Sequence, residues 1–243
     1  MYLNSRFFYF LPVYLLFLVW YIISFASITE LVAIYAVYFF VYSFATAFGG
    51  HMANCHGVYK TGPICSALYK LINTASLLGC PAWQKAGHLS HHKWAETDKD
   101  CQPVGVHQLR GYSDVTKIDK RFLVKSSREE TKFDAFLREY YWETAAALHI
   151  SAMLILGMKY YFFFFAFPNL LALFCIYIVR IIGHAKFLGY KNYDCPGYNI
   201  PWMFPFVFDD AWHNNHHYAD IGRPVYRWYE FRVNKLWGAL AKI

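Results

Sequence analysis

The chain has 243 residues, is 57% hydrophobic and 21% aromatic, and carries a formal net charge of +7. That length suits one domain, but the apolar share exceeds the ~45–50% of soluble domains and excludes an ordinary soluble fold. The basic residues are scattered and no reader motif accompanies them, which argues against a nucleic-acid partner and suits a face lying on anionic lipid.

In chain order, residues 7–29 contain no charged side chain, and neither do residues 31–50, with Glu30 alone between them. About 20 apolar residues cross a bilayer as a helix, so a hairpin of two spans turning near Ser27–Glu30 is expected. A cleaved signal peptide fits poorly: the first run exceeds the usual ~7–15 residues and no small-x-small site follows it. Directly after the second span comes "HMANCH", with His51 and His56. Five residues apart, they do not share an ideal α-helical face, so the helix is expected to end or distort between them, near Gly49, Gly50 and Gly57. The piece 64–82 is apolar but short and holds Lys70, which predicts an interfacial or partly embedded helix. "HLSHH" follows with His88, His91 and His92, then Glu96, Asp98 and Asp100.

Apolar character returns over 144–183, interrupted by Lys159 and Arg180. With Pro168 and Asn169 as the turn, it predicts spans at 144–164 and 169–184. His184 comes next, then Asp209 and Asp210, then "WHNNHH" with His213, His216 and His217. Thirteen Lys or Arg lie within 57–143, so the positive-inside rule puts that segment and both termini on the cytoplasmic side. The expected architecture is one all-α integral-membrane domain over 1–243. Its four transmembrane helices form two hairpins, about 7–50 and 144–184. Cytoplasmic segments, about 51–143 and 185–243, form a helical cap that holds a histidine-rich dimetal site.

Nine of the eleven histidines fall just beyond these spans, at one depth on one side. On a helix, positions i, i+3 and i+4 share a face, so His88 projects near His91 and His92. Adjacent residues diverge by ~100°, so His91 and His92 can serve two different ions. The HNNHH group has the same geometry. Nine imidazoles exceed the three or four protein ligands of a zinc site, and two ions with four or five nitrogens each use the whole set. Imidazole suits iron, zinc and copper alike. Asp98, Asp100, Asp209 and Asp210 are placed to accept ring N–H bonds, with Glu96 beside them. Asn214 and Asn215 read as hydrogen-bonding residues rather than ligands. His107 and His149 read as ordinary histidines, His149 bonding a neighbouring helix. The six cysteines show no CxxC spacing and read as reduced thiols.

These motifs resemble the membrane fatty-acid desaturases, of the acyl-CoA/acyl-lipid Δ9 type that includes stearoyl-CoA desaturase. That family's boxes read HxxxxH, HxxHH and HxxHH, with a further histidine after the fourth span. Here they are His51/His56, His88/His91/His92 and His213/His216/His217, with His184 as the additional one. "GHLSHHKWAETDKDCQP", "GYKNYD" and "RWYEF" extend the match. The resemblance implies two irons bound by the nine histidines, dioxygen as co-substrate, and a cis double bond placed in an acyl-CoA or acyl-lipid chain. It also implies electrons from a separate cytochrome b5 or ferredoxin, and residence in the endoplasmic reticulum or a bacterial inner membrane. Three positions depart from the family. Arg180 stands where an Asn usually serves a metal through water, Leu89 replaces an Arg that contacts the CoA head group, and Met52 replaces another Arg. The last two favour an acyl-lipid or another carrier unless Lys85, Lys93 and Lys99 compensate. A cation at 180 is unfavourable beside irons unless it turns away or pairs with Asp209 or Asp210. Tyr35, Tyr38, Tyr42 and Ser43 lie near the expected acyl path but read as packing residues. The alternatives are a lipid hydroxylase or a desaturase of another lipid on the same scaffold, and a non-catalytic metal-binding or metal-transporting membrane protein. The last is disfavoured because the first two spans hold no ionisable path.

Overall fold

The computed structural model of the chain describes residues 5–102, 114–218 and 227–241. His107 lies outside them. Helix α1 (Ser5–Phe25) and helix α2 (Ile28–Phe39) meet at a two-residue joint. The joint is a capping box: Ser27 Oγ accepts from the Glu30 backbone N–H at 3.2 Å, and the Glu30 carboxylate accepts from the Ser27 N–H at 2.7 Å. The lone acid between two charge-free runs therefore closes a turn. Leu11, Leu15, Leu18 and Ile22, spaced by four, three and four, form the buried stripe of α1. Its other face leaves Leu16, Trp20 and Ile23 mostly exposed.

α2 does not stop at Phe39. It widens into a π-helix, Phe40–Cys55, giving an unbroken helical stretch from Ile28 to Cys55. Then follow α3 (Pro63–Ala75), α4 (Pro81–Trp94), α5 (Lys120–Arg128) and α6 (Lys132–Glu139). α3 packs on the π-helix and carries Lys70 inward, where it pairs with Asp134 of α6 at 2.6 Å. The single charge of the expected interfacial helix is thus buried against the cap.

α7 (Tyr141–Tyr161) and α8 (Phe167–Ile182) form the second long apolar stretch, linked by a π-turn at Phe162–Ala166. The chain reverses at Gly157 (φ 71°, ψ 165°), not at Pro168–Asn169. His149 Nδ1 lies 2.9 Å from the Tyr161 hydroxyl, and its ring 5.1 Å from that of Phe165. Twelve residues of straight helix would hold 149 and 161 ~18 Å apart. Pro168 continues the helix because the π-turn before it closes Phe167 N onto Phe162 O, and Pro168 stands in the first turn of α8, where a missing donor costs nothing. Gly157, the only glycine between 144 and 182, supplies a backbone region nearly closed to other residues. Lys159 joins Glu30 at 2.7 Å, so the two turns lie side by side.

The remaining helices are α9 (Phe204–Val207), α10 (His213–His217) and α11 (Val233–Leu240). No strand forms among the described residues; Tyr190 and Asn199 make one isolated bridge. The two stretches 28–55 and 141–182 are each long and apolar enough to cross a bilayer, and 10–25 is a shorter apolar helix. The main core joins α2, the π-helix and α8 to the segment 200–212.

Candidate metal centre

The histidines gather at the end of the bundle away from the Glu30–Lys159 pair. The π-helix explains the first box. Its i→i+5 bonding places His56 N on His51 O at 3.2 Å, so residues five apart come onto one side. Both rings then reach His88: Nε2 of His51 at 3.0 Å and Nε2 of His56 at 2.7 Å. His216 Nε2 lies 2.9 Å from His51 Nε2 and 2.6 Å from His92 Nε2. In the other group, His213 Nε2 lies 3.0 Å from His184 Nε2 and 3.1 Å from His217 Nε2. His91 completes it, its ring 5.2 Å from that of His184.

The ring nitrogens thus converge on two points. His51, His56, His88, His92 and His216 form one group and His91, His184, His213 and His217 the other, with ligand atoms within 4.8 Å of one another in each. All nine sequence-predicted positions come together. Each HxxHH box is split by helical direction. On α4 the i, i+4 pair His88/His92 faces the five-histidine group while His91 turns to the other. On α10 the i, i+4 pair His213/His217 faces the four-histidine group while His216 turns away.

Carboxylates hold three rings from behind. Asp210 lies 2.8 Å from His51 Nδ1, Asp100 2.9 Å from His91 Nδ1, and Glu96 2.9 Å from His184 Nδ1. A carboxylate accepting Nδ1–H leaves the Nε2 lone pair facing the centre. The bond to His184 holds the Glu96 carboxyl down to about 2. Burial, then the neighbouring imidazoles, push His56, His88, His92, His213, His216 and His217 well below the usual histidine range. The rings are therefore neutral near pH 7, the form that binds a metal. His91 Nε2 is buried and has no hydrogen-bond partner. A buried acceptor aimed at three other imidazoles fits a cation, and an all-imidazole set suits iron, zinc or copper.

The remaining predicted residues are placed as follows. Asp98 is exposed, and its backbone carbonyl accepts from Lys117 at 2.8 Å. Asp209 accepts from the backbone N–H groups of Val233 and Asn234 at 2.8 and 2.5 Å, capping α11. Asn214 and Asn215 anchor α10. Asn214 Oδ1 accepts from Asn192 N and Tyr193 N at 2.8 and 2.9 Å. Asn215 Nδ2 donates to Glu230 at 3.1 Å. Asn199 Oδ1 accepts from both of their backbone N–H groups, at 3.0 and 3.2 Å. Gly183 lets the His213 ring sit on the chain: a Cβ there would lie 2.6 Å from His213 Cδ2. His149 bonds the Ala75 carbonyl of α3 at 3.0 Å.

A cavity open to solvent adjoins both groups. His88, His91 and His213 stand on its wall with Arg180, and Leu78, Ile176 and Val179 add apolar surface. Arg180 is half-buried, and its charge adds to the forces lowering the proton affinity of His91 and His213. Tyr42 is a residue that spacing did not single out for the site: it donates to Asp210 at 3.0 Å, behind His51. Tyr35 and Tyr38 donate to the backbone carbonyls of Pro205 and Phe206, and Ser43 accepts from Trp237 at 3.0 Å. Their polar atoms are thus occupied by the chain itself.

No protein-family model matches the chain. Over 196 residues, 75% of this chain and 69% of the relative, it is 24% identical to the sn-1 stearoyl-lipid 9-desaturase of Anabaena variabilis. The chain is thus distantly similar to a lipid desaturase, and it gathers two histidine groups able to hold metal at one end of an apolar helical bundle.

Proposed function

We propose that the protein is a multi-pass membrane desaturase that places a cis double bond, at Δ9, in the acyl chain of a lipid, using two histidine-bound irons. The observation that carries this reading is the convergence of nine imidazoles into a group of five and a group of four beside one cavity. Four crossings, α1, α2 with its π extension, and the two arms of 141–182 on either side of Gly157, put both groups at the cytoplasmic surface. The Glu30–Lys159 pair then lies at the opposite face, where charged ends reach the headgroups.

Iron bound by these groups would supply the removal of two hydrogens from adjacent methylenes, with dioxygen, two electrons and two protons taken up and two waters leaving. The chain's own part is to bind, orient and keep dry. Leu78, Ile176 and Val179 give the alkyl chain an apolar wall beside His88, His91 and His213. Asp100, Asp210 and Glu96 fix three imidazole tautomers, and Asn199 with Glu230 holds α10 at its angle. The electrons come from a separate acidic one-electron carrier, cytochrome b5 or a ferredoxin, drawn to the basic cap. Acyl-lipid is favoured over acyl-CoA as the substrate. Leu89 and Met52 remove two basic side chains, and Lys85 and Lys93 are already paired with Glu129 and Asp119.

Expression in a desaturase-deficient host, followed by gas chromatography of total fatty acids, tests the proposal. A new monounsaturated acid supports it. An unchanged saturated profile, with iron-loaded protein in the membrane, contradicts it.

A further inference from the structure

The segment Pro201–Phe208, PWMFPFVF, carries no charge. It lies between His184 and the last histidine box, yet it does not stay with the histidines. Met203, Val207 and Phe208 are buried with Tyr38 of α2, Tyr42 of the π-helix, and Ala172 and Cys175 of α8. The hydrogen bonds show how deep it reaches. Tyr35 donates to the Pro205 carbonyl at 2.8 Å, and Tyr38 donates to the Phe206 carbonyl. These tyrosines are only seven and ten residues into a helix that begins at Ile28, ~10 and ~15 Å from its turn end. His51 lies sixteen residues beyond Tyr35.

Irregular backbone at such a depth is tolerated only where the protein satisfies its polar groups. The two phenols do this for two carbonyls at the tip. Phe208 then turns the chain back with φ +47°, and the rings of Phe39, Tyr42 and Phe204 surround it at 5.0, 6.0 and 6.0 Å. The outward side is apolar: Trp202 is 52% exposed and Phe206 49%. It runs on into the exposed face of α2, where Val32 is 66% exposed. At its far end the segment leads directly to Asp209 and Asp210, the latter bonded to His51.

We propose that Pro201–Phe208 is a re-entrant finger that enters the hydrocarbon from the histidine side, between α2 and α8, and presents Trp202 and Phe206 to lipid acyl chains. The proposal rests on the reading that these helices cross the bilayer. The partner is the acyl region itself, because no polar side chain on the outward face is available for an aqueous or protein ligand.

The test uses cysteine at Phe206, in membranes opened so that both faces meet a membrane-impermeant maleimide. Phe206→Cys is compared with Val32→Cys on the exposed face of α2 and with Ser127→Cys, exposed on α5. Rates are taken as the increment over the parent, whose six thiols are buried or half-buried. Labelling of Phe206→Cys and Val32→Cys at least tenfold slower than Ser127→Cys, with all three equal after SDS, is the expected result. Phe206→Cys labelling as fast as Ser127→Cys while Val32→Cys stays protected overturns the finger and leaves the membrane reading standing. Fast labelling of Val32→Cys as well overturns both. Trp202→Cys, at the other exposed position, gives the same discrimination if the first variant does not accumulate.

Discussion

The four-histidine group depends on Asp100, which accepts from His91 Nδ1 and from the Gln102 N–H at 2.8 Å. Asp100→Asn removes the charge that fixes the His91 tautomer. It is expected to weaken metal binding at that group 10–100-fold, read by chelator competition, with the five-histidine group unchanged. Equal loss at both groups would show that Asp100 supports the fold rather than the ring. Arg180→Asn should act in the opposite sense. Its charge lies near His91 and His213, so removing it strengthens metal binding by on the order of tenfold, about 1.4 kcal/mol. Weaker binding in that variant would mean that Arg180 holds the site together. The spacing HxxHH identified the imidazoles, but their partition depends on how α4 and α10 face each other, which no local pattern encodes. Glu96, rather than Asp98, meets His184 because Glu96 takes a left-handed conformation (φ 62°) that turns it back toward the rings.

At the scale of elements, the apolar runs marked α1, the α2 stretch and the 141–182 stretch with boundaries off by a few residues. The π-helix was legible only as a misfit. A five-residue histidine spacing conflicts with 3.6 residues per turn, and the conflict was real, but the helix widens where an ending was the other option. The second turn was misplaced because Pro168 is the stronger breaker by composition. Proline costs little in a first helical turn, whereas Gly157 adopts φ 71° and ψ 165°. Gly157→Ala therefore costs about 1–3 kcal/mol, seen as a lower melting temperature. Pro168→Ala should change it far less. The reverse order of effects would return the turn to Pro168. Sequence alone gives Tyr35, Tyr38 and Tyr42 only as packing residues. Their hydroxyl partners lie some 170 residues away, beyond the reach of periodicity.

For the whole molecule, six imidazoles pushed down by burial couple stability to pH. In the unfolded chain they take protons near 6.5, while in the folded chain they resist protonation to lower pH. Below pH 6.5 the unfolded state thus binds more protons, so stability is full above that pH and is lost as pH falls toward the depressed folded values. Metal-free protein in lipid should melt several degrees lower at pH 5.5 than at pH 7.5, and a flat or opposite dependence would contradict buried neutral rings. The central claim is that nine histidines divide into two metal sites. Iron and protein measured together on chain purified after anaerobic iron loading test it most directly. Two irons per chain is the predicted result, and one iron or fewer would contradict it.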